Sequence, residues 1–291
     1  MIPLLKVRLL AMTNKLMILN VLTIIGCIVI ALGRLASMSS AELVDFYGVN
    51  ATVRKTEAFA SDLTLLSFFH SQALFAFAYM GVFIYLEIIS EMREPKDFRK
   101  SLLWFSGPFQ FLVYGLTGAI GYALIGSGAR GLLIKQIPTG TAYRFAGLFL
   151  AVHMGLTFMV KGTILSRAIH AFVSPSSAKD FSTGQGDRVY ALVSAGVLAF
   201  CLLVANLVPF FDDLTAFLGA MQTPFIGFIL PILYVWKARK NLERSTPRKE
   251  RFFMFLIIFS MMLLFFVGIV SSVGNIIEKW KSYGAPFSGC F

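Results

Sequence analysis

Seven stretches of this sequence run for 16 to 29 residues without a charged side chain, at 16–33, 63–86, 101–129, 145–160, 189–211, 214–236 and 252–277. A helix rises 1.5 Å per residue, so about 20 apolar residues cross the hydrocarbon core of a bilayer. The pattern therefore predicts an all-α integral membrane protein with seven transmembrane helices, at about 16–36, 64–88, 102–127, 143–166, 189–211, 214–236 and 252–277. Composition agrees: 57% of the residues are hydrophobic and 14% charged, against about 25% charged in a soluble domain. Unbroken apolar runs exclude a transmembrane barrel, whose strands alternate, and the low charge excludes disorder. A cleaved signal peptide would account for the first run alone and would precede a soluble body, which does not follow.

The net charge of +11 is explained by where the basic residues lie. With the amino terminus inside, the inner segments hold Lys6, Arg8 and Lys15, then Arg93, Lys96, Arg99 and Lys100, then Lys161, Arg167, Lys179 and Arg188, then seven between Lys237 and Arg251. That places 18 of 26 basic residues inside and orients the bundle: residues 1–15 inside, 276–291 an outer tail. No nucleic-acid partner is needed to explain the charge. The acid-free segment 1–15 is compatible with organelle targeting and, more simply, with a cytoplasmic anchor. The run at 237–251 is read first as a topology signal and second as an attractor of anionic headgroups.

Nothing points to an enzyme. There is no P-loop, dinucleotide fingerprint or Ser-His-Asp order, and no metal or cofactor is expected. Cys27 and Cys201 fall inside membrane runs and Cys290 near the end, so no disulfide framework is implied. His70, His153 and His170 form no local cluster; a single membrane histidine reads first as an interhelical hydrogen bond and second as a proton relay.

Local patterns add detail. Ser39 with Glu42 has capping-box spacing, predicting a short helix in the outer loop 37–65, which also holds the glycosylation sequon Asn50-Ala51-Thr52. The loop 171–188, with Ser174-Pro175 and Gly184-Gln185-Gly186, reads as a turn-rich connection. Gly115, Gly118 and Gly121 share a face of the third span and predict close approach by another helix. Pro209 ends the fifth span, Asp212 and Asp213 are placed to cap the sixth, and Pro224 and Pro231 predict that the sixth is bent.

Four stretches together resemble the amino acid/auxin permease family. Phe75-Ala76-Phe77 through Glu91-Met92, Pro95 and Phe98 is similar to that family's sixth helix and following loop. Tyr114, Gly118, Gly121-Tyr122, Gly126 and Ile137-Pro138 resemble its seventh helix and outer loop, and Ala151-Val152-His153 its eighth. Pro209 to Leu214, Gly219-Ala220, Pro224, Phe228, Pro231 and Tyr234 resemble its late-helix signature. The resemblance covers roughly 66–275, the family's fifth to eleventh helices. It implies an inverted-repeat transporter bundle and, for a transporting protein, a substrate site using Phe75, Ala78, Tyr79 and His153. The sixth-helix equivalent lacks the proline that many members carry, and Gly81 is the nearest candidate for unwinding.

Helices equivalent to the family's first four are not found, so one repeat of the site is missing. The first expectation is therefore a truncated, non-transporting accessory subunit of a larger membrane complex. Its partners would be lipid and other subunits covering polar groups such as Asn20, Ser71 and Gln72, in an organelle inner membrane rather than a plasma or vacuolar one. The alternative is a proton- or sodium-coupled amino acid transporter needing a partner chain or further N-terminal helices; a membrane receptor or enzyme comes third.

Overall fold

The computed structural model describes residues 14–48, 56–58, 63–126, 129, 131–179, 184–207 and 211–283. In chain order the helices are α1 (Asn14–Ser37), α2 (Ser40–Tyr47), α3 (Leu65–Ala78), α4 (Tyr85–Glu91), α5 (Phe98–Ser101), α6 (Gly107–Ile125), α7 (Thr141–Val173), α8 (Pro175–Lys179), α9 (Gly184–Leu207), α10 (Phe211–Gln222), α11 (Leu230–Asn241) and α12 (Arg248–Tyr283). Residues Leu102–Ser106 join α5 to α6 and Thr223–Ile229 join α10 to α11 as π-helical segments. Among the described residues six helical stretches are long and apolar enough to cross a membrane: Leu16–Ser37, Pro95–Ile125, Thr141–Val173, Gly186–Leu207, Phe211–Asn241 and Arg248–Lys281. The protein is an integral membrane helical bundle. The seventh expected stretch, 64–88, is carried by two shorter helices, α3 and α4, on either side of an interruption.

Prolines accompany both π segments: Pro108 lies just after the first, and Pro224 opens the second with Pro231 just after it; a proline gives no N–H to the carbonyl four residues back, and here the helix widens nearby instead of ending. The expected bend in the sixth span thus takes the form of a π segment opening at Thr223. Ser39 caps α2, accepting from the Glu42 amide at 3.2 Å, but only half of the capping box forms, because the Glu42 carboxylate turns to Arg34. In the loop 171–188, Pro175 opens α8 and Gly184-Gln185-Gly186 opens α9, so the glycines start a helix where a turn was expected. The sequon at Asn50 and the helix stop at Pro209 lie outside the described residues.

The chain divides into two compact units, 1–58 with 87–201 and 59–86 with 202–291. In the first, α1 packs along α7, and Gly26 permits this: a β-carbon there would stand 2.9 Å from the Phe149 ring. Ala31, Leu35, Met38, Leu43, Ile125 and Ile137 form its core, and the Tyr47 hydroxyl, 2.9 Å from the Gln136 side-chain oxygen, ties α2 to the 3-10 turn Leu133–Gln136. In the second, α3, α10 and α12 pack mutually around Ala73, Ala216, Ala220 and Leu264. The close approach is through Gly219, whose β-carbon would fall 2.1 Å from the Ala73 carbonyl oxygen, and Gly268, whose β-carbon would meet Ala220 Cβ at 2.8 Å. No described atom other than local backbone comes within 4 Å of a β-carbon built on Gly115, Gly118 or Gly121, so the close helix crossing expected there is not made among the described residues. Glycine spacing shows which face is bare, but not what approaches it.

Candidate functional site

The interruption between α3 and α4 is built by Tyr79, Met80 and Gly81. An α-helix would pair the amides of Met80 and Gly81 with carbonyls four residues back; here Met80 N–H donates to Phe77 O at 3.1 Å and Gly81 N–H to Tyr79 O at 2.9 Å. Tyr79 sits at φ −90, ψ 3, the bridge region between helix and strand. Gly81 allows the Tyr85 ring to fold back, its hydroxyl 3.1 Å from where a β-carbon would be. A 3-10 turn, Val82–Ile84, then leads into α4. The turn packs against the π segment Thr223–Ile229, and the Thr223 hydroxyl donates to Met80 Sδ at 3.1 Å. Two irregular stretches of backbone therefore face each other in the second unit. Carbonyls released from a helix ladder at membrane depth need partners, and a polar ligand is one.

Of the residues expected at a substrate site, Phe75, Ala78 and Tyr79 border this break, and all three are exposed on the chain, Phe75 at 62% and Tyr79 at 43%. His153 belongs to the other unit, where its Nδ1 lies 3.0 Å from the Asn20 carbonyl and therefore carries the proton. Asn20 Nδ2 in turn donates to Thr157 at 3.3 Å, one turn along α7 from His153. His153 thus joins α1 to α7. Asn20 was expected to need a cover from outside, yet half of its amide is satisfied within the chain, and Ser71 donates to Ser67 O of its own helix at 3.0 Å.

Beyond the break, α4 is tied to α7. Arg167 Nη1 lies 2.8 Å from Glu87 Oε1 and 2.9 Å from Glu91 Oε1, so one guanidinium nitrogen bridges two carboxylates a turn apart. A cavity of about 350 Å³ opens beside it, lined by Glu87, Ile164, Arg167, Ala168, His170 and Ala171. His170, expected beyond the fourth span, is buried at the end of the long α7 with Nε2 2.9 Å from Ser177 Oγ.

A second polar centre was missed in sequence. Asp213 is 1% exposed in the first turn of α10, where the helix dipole favours an anion; it pairs with Lys279 of α12, and His70 Nε2 of α3 lies 3.8 Å away, while the segment that Asp212 and Asp213 were expected to cap against lies outside the described residues. Asn275 Nδ2 is 3.4 Å from His70 Nδ1. Residues 70, 213, 275 and 279 are too far apart for a local motif; a buried acid heading an apolar helix was the available signal. Among the described residues there is no group of three His, Cys, Asp or Glu able to hold a metal.

The chain matches the family described as "Transmembrane amino acid transporter protein" over residues 1–273. It is 24% identical over 189 residues to the N amino acid transport system protein of Neurospora crassa, covering 65% of this chain and 40% of that protein. It is 30% identical over 145 residues to amino acid transporter AVT6B of Arabidopsis thaliana (47% and 31%), and 25% identical over 181 residues to AVT3A of the same plant (62% and 39%). The chain thus spans about two fifths or less of these relatives' length. No solved structure matches it significantly. With a family match running from the first span into the last, around an interrupted helix, the chain belongs to the transmembrane amino acid transporter family.

Proposed function

We propose that this chain carries part of the machinery of an amino acid transporter, with the interruption at Tyr79–Gly81 as the place where substrate is held. The observation that carries this reading is the break itself. A helix that served only to pack against neighbours would gain from being continuous, whereas here the mainly apolar 14-residue helix α3 stops at Ala78 and irregular backbone faces the π segment Thr223–Ile229. A zwitterionic amino acid must exchange water for fixed partners at both its charged groups, and carbonyls and amides released from a ladder provide them. Phe75 and Tyr79 would border the side chain. The chain would act together with the further helices that the longer relatives possess, supplied by the same or another polypeptide.

The test is uptake of radiolabelled amino acids by membrane vesicles containing the chain with its native associates. Saturable uptake reduced at least tenfold by Gly81→Leu, which must displace the Tyr85 ring, supports the reading. Uptake indifferent to that change removes the break from the mechanism.

A second reading, the accessory subunit, has its own support in the open face at Gly115, Gly118 and Gly121, where another helix would fit closely. It calls for co-purification in a large complex in mild detergent, together with no uptake above empty vesicles.

A further inference from the structure

Where the apolar windows of α11 and α12 end, basic side chains gather around one cavity. It measures about 410 Å³ and is lined by Trp236, Arg239, Lys240, Arg244, Arg251 and Phe255, with Thr246 beside them. Of the four basic groups, Arg239 is matched by Glu250, the two making a two-point ion pair. Arg251 has one bond, from Nη2 to the Thr246 carbonyl at 3.2 Å. Lys240, Arg244 and Arg251 are exposed and share the cavity with no carboxylate among its lining residues. Three like charges around one space repel one another, and an anion placed among them relieves that repulsion.

The remaining lining is largely aromatic. Trp236 donates from Nε1 to Met254 Sδ at 3.0 Å, and its ring lies 5.6 Å from that of Phe255, so the indole is held at the level where the charge-free windows end. Tryptophan at that depth marks a membrane–water boundary. An anion bound here therefore meets water on one side and acyl chains on the other.

We infer that this cavity is a site for the phosphate group of an anionic phospholipid, whose headgroup is held by Lys240, Arg244 and Arg251 and whose glycerol backbone lies against Trp236 and Phe255. A scattered surface excess of Lys and Arg explains topology alone; convergence on one concave space with an aromatic floor does more. Planar guanidinium groups match phosphate oxygens in pairs.

Trp236 supplies the reporter. In the full chain carrying Trp104→Phe and Trp280→Phe, purified in dodecyl maltoside, its emission is followed on addition of dioctanoyl phosphatidic acid, dioctanoyl phosphatidylcholine or inorganic phosphate. The expected result is a saturable change with phosphatidic acid, weakened about tenfold or more by Arg244→Gln with Arg251→Gln, and weakened further as salt rises. Lys240→Gln alone, which leaves the Arg239–Glu250 pair unsubstituted, should weaken it severalfold, and Arg244→Lys, which keeps the charge but loses the planar fork, should weaken it less than Arg244→Gln. Both give a reading if the double variant fails to fold. Equal response to phosphatidylcholine would overturn the electrostatic basis. Inorganic phosphate saturating as tightly as the lipid would make this a small-anion site, and no saturable response, or one untouched by the substitutions, would remove the site altogether.

Discussion

The carbonyl oxygen of Ala73 lies 2.1 Å from the point that a β-carbon on Gly219 would occupy, with Phe77 Cβ at 3.0 Å from the same point. Backbone on the opposing side cannot yield as a flexible side chain would. Gly219→Ala should therefore force α10 away from α3 and lower stability by about 1–3 kcal/mol, read from unfolding of the purified chain in mixed micelles. Gly118→Ala, where no other helix stands within 4 Å, should stay within about 0.5 kcal/mol of the parent chain. Equal losses at both positions would mean that the α3–α10 contact is looser than described.

Asp213 is the group whose partner matters most in the same unit. Lys279→Met would leave a carboxylate that is 1% exposed without its ammonium and should cost about 3 kcal/mol or more. Adding Asp213→Leu should restore much of that loss, because the apolar pair has no charge to desolvate. If Lys279→Met and the double variant unfold at the same denaturant concentration, the pair contributes little.

His153 distinguishes packing from proton movement. Since its ring donates to the Asn20 carbonyl across α1 and α7, His153→Gln should weaken the contact by about 0.6 kcal/mol, the scale of single polar contacts between membrane helices. If the vesicles take up amino acids as proposed, any dependence of that uptake on external pH should survive the substitution. Abolished pH dependence with unchanged stability would make His153 a relay.

Orientation is an expectation drawn from the charge distribution, and labelling tests it directly. With 18 of 26 basic residues on one side, a cysteine placed at Ser245 should react only with reagents admitted to the inside. Labelling from outside would invert the topology.

Much of the architecture was legible because it is written locally. Charge-free windows locate the helices, Ser39 with Glu42 announces α2, and Gly81 stands within the break because only a residue without a side chain lets Tyr85 fold over it. Contacts made at long sequence separation left no such trace. Nothing near Asp213 indicates that Lys279 and His70 will meet it, and nothing near Gly219 marks it as more tightly approached than Gly118. The glycines of the third span looked equally suited to close packing, yet among the described residues the tightest approaches by another helix fall at Gly26, Gly219 and Gly268. Which bare face is filled depends on the partner helix, and that is set by the whole bundle. Pro224 was legible as a disturbance, though its form was not, since a proline can bend a helix or widen it, depending on what packs alongside.

The widened turn behind Pro224 also fixes rotational phase. Each α-helical residue advances the chain by about 100°, so one added residue turns everything after it by that angle. Asp213 of α10 and Trp236 and Arg239 of α11 all meet α12, at Lys279, Met254 and Glu250, so the widened turn sets the phase at which both halves of the span face the same partner. Removing a single residue between Phe225 and Phe228 would act as a rotation more than as a shortening. The contacts of α10 would stay in place, while the indole and the guanidinium of α11 swung off α12, uncoupling one end of a single span from the other.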